Sequence, residues 1–211
     1  ECSCQIKVLN GGVSGSNNLN NFLSFISKGI PFKPKYVFLM GSLNDFSQLS
    51  RFGSYWNLNN NQSVLHSKKS LTYRLLNFLK VYLFTDIYYN LKSIGFNPNF
   101  LTENVQLSNK LFLSNQGEKD YFNVIKSFNH IANQFGIDFY FITEPYLSIE
   151  PYQKEIDSIH SKLKTISNLN LIDLEYLIPK KRSYFIDNTH LSEKGNELAS
   201  EIIFEVIKNN K

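Results

Sequence analysis

The feature of this sequence that most constrains its fold is a set of four short apolar runs separated by longer amphipathic stretches. Each run is rich in β-branched or aromatic residues and lacks the alternation of a strand with one face in water. Unbroken runs of this length are typical of strands covered on both faces of a parallel sheet. We therefore predict buried strands at IKVL (6–9), YVFLM (36–40), DFYFIT (138–143) and NLID (170–173).

The stretches between these runs carry apolar residues at helical spacing. Strands that alternate with helices predict an α/β three-layer sandwich built on a parallel sheet. Gly136 follows the longest stripe directly and is placed to end that helix. The four stripes are Leu19, Phe22, Leu23 and Ile26; Tyr121, Ile125, Phe128, Ala132 and Phe135; Ile156, Ile159, Leu163 and Ile166; and Leu198, Ile202, Ile203 and Val206.

The length of 211 residues is most simply explained by one domain, residues 1–211, with a core of its own. Residues 46–116 depart from the alternation of strands and helices, since they are too many for a simple crossover. This insertion contains an Asn-rich run (57–62) and a predicted helix (71–92). It is either a lid over a site or an additional packing layer.

Composition narrows the possible functions. The formal net charge of +4 is spread along the chain, with short basic groups such as 180–182 and no concentrated patch, so nucleic-acid binding is not expected. Cys2 and Cys4 are too close together to staple a fold, and no partners follow at zinc spacing. The longest apolar stretch, 75–84, falls short of the roughly 20 residues of a membrane span. We expect no metal, no cofactor and no transmembrane segment.

Polar residues follow the predicted strands at NGGVSGSN (10–17), GSLND (41–45) and, some distance after the last strand, DNTH (187–190). The carboxyl ends of parallel strands lie at one edge of a sheet, so these segments are expected to meet there. Together they supply a glycine N–H, an amide, an imidazole and a carboxylate, which are the groups that acyl transfer requires.

Each segment also has a plainer interpretation. The spacing of Asp187 and His190 also suits a cap beside a surface histidine, and Asn44 with Asp45 also suits a turn after a strand. The glycines at 11, 12 and 15 also suit turns of the backbone without any role in a site. A phosphate loop at 10–15 is disfavoured, because the segment has neither the spacing of a dinucleotide fingerprint nor a P-loop ending.

Taken in order, the three segments resemble motifs of the SGNH (GDSL-type) hydrolase superfamily. NGGVSGSN is similar to its second motif, GSLND to its third and FIDNTHLSEKG (185–195) to its last; TEPY (143–146) also fits the course of that fold. The resemblance covers most of the chain and implies a flavodoxin-like parallel sheet between two helical layers.

The resemblance implies a role for four residues. His190 would be the general base, and Asp187 would orient it and stabilise its protonated form. Gly15, through its backbone N–H, and Asn44, through its side-chain amide, would form the oxyanion hole. The other histidines, His66, His130 and His160, lie at no predicted strand end.

The family's first motif, a Gly-Asp-Ser that carries the nucleophile, is not present. Ser3 is expected at the wrong end of the sheet, and Ser14, Ser16 and Ser42 occupy other loop positions. There is no G-x-S-x-G elbow. We expect the nucleophile upstream of Glu1, together with the family's first strand, and expect this chain alone to be poorly stable and inactive.

The resulting prediction is a metal-independent serine esterase that acts on an acyl or acetyl ester of a lipid or glycan. An O-acyltransferase remains an alternative, because the motifs do not distinguish water from a sugar hydroxyl as the acceptor. A second alternative is a non-catalytic domain that binds a carbohydrate or a partner on the same fold. Compartment and oligomeric state are left open by the sequence.

Overall fold

The computed structural model describes residues 7–13, 15–41, 43–56, 62–63, 66–67, 113–149 and 153–209. Helices and strands are numbered within these residues. The strands are β1 (Tyr36–Gly41), β2 (Gln62–Ser63), β3 (His66–Ser67), β4 (Asp138–Thr143) and β5 (Asn170–Ile172). The α-helices are α1 (Asn18–Ser24), α2 (Leu43–Phe52), α3 (Asn115–Gln134), α4 (Gln153–Leu163), α5 (Leu174–Leu177) and α6 (Glu193–Asn209).

The chain divides into two compact units, residues 1–55 with 110–211, and residues 56–109. In the second unit the described residues form the short antiparallel pair β2–β3. Most of the predicted insertion, including the helix at 71–92, lies outside the described residues. The one-domain prediction stays a prediction.

The first unit contains a parallel three-stranded sheet in the order β1-β4-β5. The predicted strands at 36–40, 138–143 and 170–173 are therefore confirmed within a residue or two. Gly41 pairs with Thr143 at the carboxyl end of the sheet, so the ends of β1 and β4 lie side by side. The α/β class and the parallel sheet are both as predicted.

Helices cover both faces of the sheet, as a three-layer sandwich requires. On one face, Phe128 of α3 stacks on Phe139 of β4 at 4.6 Å between ring centroids. The α4 helix lies beside α3, joined by the 2.6 Å Lys162–Glu118 ion pair. On the opposite face, Ala199 of α6 packs in a cluster of buried side chains, which also contains Tyr140, Ile142, Ile172, Leu174, Ile178 and Phe185.

The helical stripes are largely confirmed. Tyr121, Ile125, Phe128 and Ala132 are buried on α3, and Ile156, Ile159 and Leu163 are buried on α4. Gly136 adopts a φ of +67° directly after α3, so it ends that helix as predicted. Two stripe residues at helix margins, Ile26 and Phe135, are exposed instead.

The strand predicted at 6–9 is wrong over the residues that the structure describes. Residues 7–13 have no regular secondary structure, and Val8 and Leu9 are 83% and 53% exposed. An apolar run becomes a strand only when neighbouring strands satisfy its backbone groups and other layers cover its side chains. Neither condition is met for residues 7–9 within the described structure.

The expectation that β1 is covered on both faces is also wrong. Leu39 is buried, but Phe38 and Met40, which point to the opposite face, are 40% and 44% exposed. The reason is position: β1 is an edge strand of the described sheet, while the cluster beneath α6 is centred on β4 and β5.

Candidate functional site

The loops that follow the three strands are bonded to one another at the carboxyl edge of the sheet. After β4, the Oε2 atom of Glu144 accepts the Leu43 N–H, from the first residue of α2, at 3.2 Å. Further along the same loop, the Tyr146 N–H donates to Oε2 of Glu175, in α5, at 2.8 Å. These bonds join the exits of β1, β4 and β5 to one another.

Asp187 and His190 are in direct contact. The Nδ1 atom of His190 lies 2.8 Å from Oδ2 of Asp187. Because a carboxylate only accepts hydrogen bonds, Nδ1 carries the proton and Nε2 of the neutral ring holds a lone pair. Nε2 has no hydrogen-bond partner among the described residues. The side chain of His190 is 75% exposed and that of Asp187 is 54% exposed, so the ring is open to an incoming group.

The carboxylate of Asp187 is itself held by the backbone. Its Oδ1 accepts the Thr189 N–H and the His190 N–H, each at 2.8 Å. These bonds, first that from Thr189, then the contacts with His190, hold the pKa of Asp187 well below its usual range. Asp187 is therefore an anion at neutral pH, and its charge can stabilise the imidazolium as well as orient the ring.

A closed loop carries this pair. Phe185 and Leu191 form an antiparallel bridge, and the Ile186 N–H donates to the His190 carbonyl oxygen at 2.8 Å. The loop is fastened to the exit of β4, where the Leu147 N–H donates to the Asn188 carbonyl oxygen at 2.9 Å. The sequence DNTH is thus tied to the same sheet edge as the loops after β1 and β4.

The two predicted oxyanion donors lie on neighbouring segments. Nδ2 of Asn44, in the first turn of α2, donates to the Ser16 carbonyl oxygen at 3.1 Å. Gly15, the preceding residue, has a φ of +73°, which favours glycine. A side-chain amide nitrogen carries two hydrogens, so one hydrogen of Asn44 has no partner among the residues that the structure describes. The Gly15 N–H has no partner among the described residues, and both residues are exposed.

Glu144 connects the two halves of the site. It bonds to Leu43 on the side of Asn44, and its charge interacts with that of His190 when the His190 ring is protonated. Burial, the largest effect, raises the pKa of Glu144, while the Leu43 N–H and His190 lower it. Sequence reasoning missed this residue, although its place directly after a buried strand was a usable signal.

Asp45 is a second carboxyl that the sequence did not single out. It is 1% exposed, and its Oδ1 accepts the Asn18 N–H at 2.9 Å and the Tyr55 hydroxyl. Burial raises the pKa of Asp45 to about 7, against the opposing effect of these hydrogen bonds. Asp45 therefore holds α1 and the chain after α2 together from inside, rather than forming a turn.

His160 lies in a different environment from His190. It is buried on α4, and this burial lowers its pKa to about 4 despite the nearby charge of Asp173. It contributes to a cleft of about 430 Å³ lined by two ion pairs, Lys164–Asp173 at 2.7 Å and Lys180–Glu175 at 2.5 Å. This cleft is not lined by Asp187 or His190.

Of the serines named above, the structure describes Ser16. The hydroxyl of Ser16 donates to Oδ1 of Asn21 at 2.8 Å; Ser3, Ser14 and Ser42 lie outside the described residues.

Within the described chain, no three His, Cys, Asp or Glu side chains are grouped as metal ligands. A search of the same residues for a helix long and apolar enough to cross a membrane finds none.

Comparison with known proteins yields a likeness of fold. No protein-family model matches the sequence, and no curated protein matches it significantly. Among solved structures, the chain is similar to the crystal structure of a "putative acylhydrolase" from Bacteroides fragilis, with a TM-score of 0.56 and 13% sequence identity. The similarity covers 94% of this chain and 73% of the other. This chain thus has an α/β fold of the kind found in that protein.

Proposed function

We propose that this chain carries the base and oxyanion groups of a serine ester hydrolase of the SGNH type. The observation that carries the proposal is the 2.8 Å contact between His190 Nδ1 and Asp187 Oδ2, which in the neutral ring directs the lone pair to Nε2, on an exposed side chain. The likeness of fold to a "putative acylhydrolase" supports a hydrolase at the coarse level. The three motifs in family order support the finer assignment.

In the proposed reaction, His190 Nε2 takes the proton of a serine hydroxyl as its oxygen attacks the ester carbonyl. Asp187 stabilises the imidazolium that results. The Gly15 N–H and the free N–H of Asn44 donate to the oxyanion of the tetrahedral intermediate. The intermediate collapses to an acyl-serine as the imidazolium protonates the leaving alkoxide. Water, activated by the same base, then releases the acid; a sugar hydroxyl in place of water would make the protein a transferase.

The sequence given contains no motif for the nucleophile. We propose a serine upstream of Glu1, at the end of a strand, acting on an acyl or acetyl ester of a lipid or glycan. The natural full-length protein should then react with a fluorophosphonate probe and hydrolyse p-nitrophenyl acetate. Residues 1–211 alone should do neither.

Substitutions in the full-length protein test the assigned roles. His190→Ala should abolish both labelling and hydrolysis, and Asn44→Ala should lower kcat by about 10²–10³-fold, as is usual for the loss of one oxyanion donor. Glu201→Ala, an exposed position on α6, serves as the control. If residues 1–211 hydrolyse the ester and His190→Ala abolishes this activity, the upstream nucleophile is refuted but the hydrolase is not. A full-length protein without any labelling would refute the hydrolase.

The exposure of Asp187 and His190 gives one argument for a non-catalytic alternative, a domain that binds a carbohydrate or a partner at the same edge. That alternative predicts saturable binding of glycan fragments, by calorimetry, to a full-length protein that is inert to the fluorophosphonate. Binding should then weaken in Asn44→Ala without any hydrolysis in the wild type.

A further inference from the structure

Glu144 occupies a position that the proposed mechanism does not use. It follows β4 directly, and the pairing of Gly41 with Thr143 places it across from the chain that enters α2. Its side chain is partly buried, and its Oε2 accepts the Leu43 N–H at 3.2 Å. Burial of a carboxyl without hydrogen bonds is costly, so this bond also determines where the carboxyl can lie.

The bond from Leu43 fixes the start of α2. The first N–H groups of a helix have no partner within the helix, and an acidic group beside them is favourable. Asn44 is the next residue along, and its side chain is bonded to the Ser16 carbonyl oxygen. Asn44 is thus held from two sides, by Glu144 through the backbone of Leu43 and by Ser16 through its own amide.

Several charged groups surround Glu144 at this edge. Its charge interacts with those of His190 in the loop fastened to the exit of β4, Glu175 in α5 and Asp45 in α2. The interaction with a protonated His190 is attractive, and those with the two carboxyls are repulsive. The hydrogen bond from Leu43 therefore holds the Glu144 carboxylate in place in spite of its acidic neighbours.

We propose that Glu144 is a positioning residue: its carboxylate holds the first turn of α2 so that Asn44 keeps one N–H directed at the oxyanion. This inference rests on the proposed function, since it concerns the same site. It assigns to Glu144 no contact with the substrate. Its effect on catalysis passes through Asn44.

A double-mutant cycle in the full-length protein tests this route. Glu144→Ala should lower kcat by about 10–100-fold through misplacement of a catalytic group, with KM changed little. Glu144→Gln keeps an oxygen for the Leu43 N–H and should retain kcat within about threefold of the wild type. In the Asn44→Ala background, Glu144→Ala should have almost no further effect, because the group it positions is already missing.

The outcomes separate the inference from the function. If Asn44→Ala leaves kcat unchanged, the oxyanion assignment itself fails. If Asn44→Ala slows the reaction but Glu144→Ala does not, or if the two losses multiply, the role of Glu144 alone is refuted. A loss in Glu144→Gln equal to that in Glu144→Ala would refute the hydrogen bond as the cause.

A second readout needs no catalysis. In ¹H–¹⁵N spectra of the full-length protein, the Leu43 amide and the Asn44 side-chain amide should shift in Glu144→Ala and stay near their wild-type positions in Glu144→Gln. Glu201→Ala is the matched control, since it removes an exposed Glu from α6. Unchanged Leu43 and Asn44 signals in Glu144→Ala would overturn the inference whether or not the protein is an esterase.

Discussion

At the scale of the residue, the carboxylate of Asp187 sets the state of His190. One oxygen is taken up by the backbone N–H groups of Thr189 and His190, so the other is left to face the ring. An Asp-x-x-His sequence that served merely as a helix cap would direct its carboxylate to the helix. Here Ser192 caps α6 instead, since its hydroxyl oxygen accepts the Gly195 N–H at 3.2 Å.

Asp187→Asn should therefore reverse the protonation of the His190 ring. The Asn oxygen takes over the two backbone N–H groups, and its NH₂ then donates to Nδ1, which forces the proton onto Nε2. Ring ¹⁵N shifts at a pH where the ring is neutral measure the change directly. Thr189→Val removes a hydroxyl 3.2 Å from the same nitrogen and should leave the tautomer as it is. A wild-type pattern in Asp187→Asn would contradict the orienting role.

At the scale of the element, the start of α6 and the loop before it form one packed unit. The Ser192 N–H donates to the Tyr184 carbonyl oxygen at 2.9 Å, which closes the loop that carries Asp187 and His190. Gly195 is buried directly beneath that carbonyl, where a Cβ atom would collide with it. The absence of a side chain at Gly195 thus allows the helix to approach the loop.

Gly195→Ala is expected to destabilise the protein by about 1–3 kcal/mol, the usual range for overpacking. Ala is ordinarily favoured over Gly within a helix by up to about 1 kcal/mol, so the sign of the effect is diagnostic. Asn196→Ala, at the next and exposed position, should be neutral or slightly stabilising. Urea unfolding of both variants measures the difference; a more stable Gly195→Ala protein would refute the close packing.

At the scale of the whole molecule, the packing of separate segments buries the carboxyl of Asp45 and raises its pKa. Asp45 lies where α1, α2 and Tyr55 converge, and its folded-state pKa of about 7 is well above the ordinary value of 3.8. The protonated form is therefore favoured by folding. Its contribution to stability is fully present below about pH 4 and is lost as the pH rises through 7.

Asp45→Asn should remove this loss, because an amide stays neutral and still accepts the Asn18 N–H. The free energy of unfolding of the variant, relative to the wild type, should rise between pH 4 and 8 by up to roughly 4 kcal/mol. Chemical denaturation at a series of pH values measures it. Asp138→Asn, which alters an exposed carboxyl at the start of β4, should show no such rise. A constant difference between Asp45→Asn and the wild type would exclude a raised pKa.

The local sequence was sufficient to predict three strands and the helical stripes. It was also sufficient to predict that polar residues follow the ends of the strands. Apolar runs and helical spacing report which side chains need burial, and β1, β4 and β5 obtain that burial close to the predicted residues. The contact between Asp187 and His190 was also predictable, since three residues in a tight loop suffice to bring them together.

The tertiary structure decided what depends on neighbours distant in sequence. Residues 7–9 are as apolar as a strand but have no described strand beside them, and β1 exposes Phe38 because it lies at the edge of the described sheet. Glu144 meets Leu43 across 101 residues, and Asp45 is buried by Asn18 and Tyr55. A sequence specifies which groups need partners, whereas pairing, edge position and desolvation arise only when separate segments pack together.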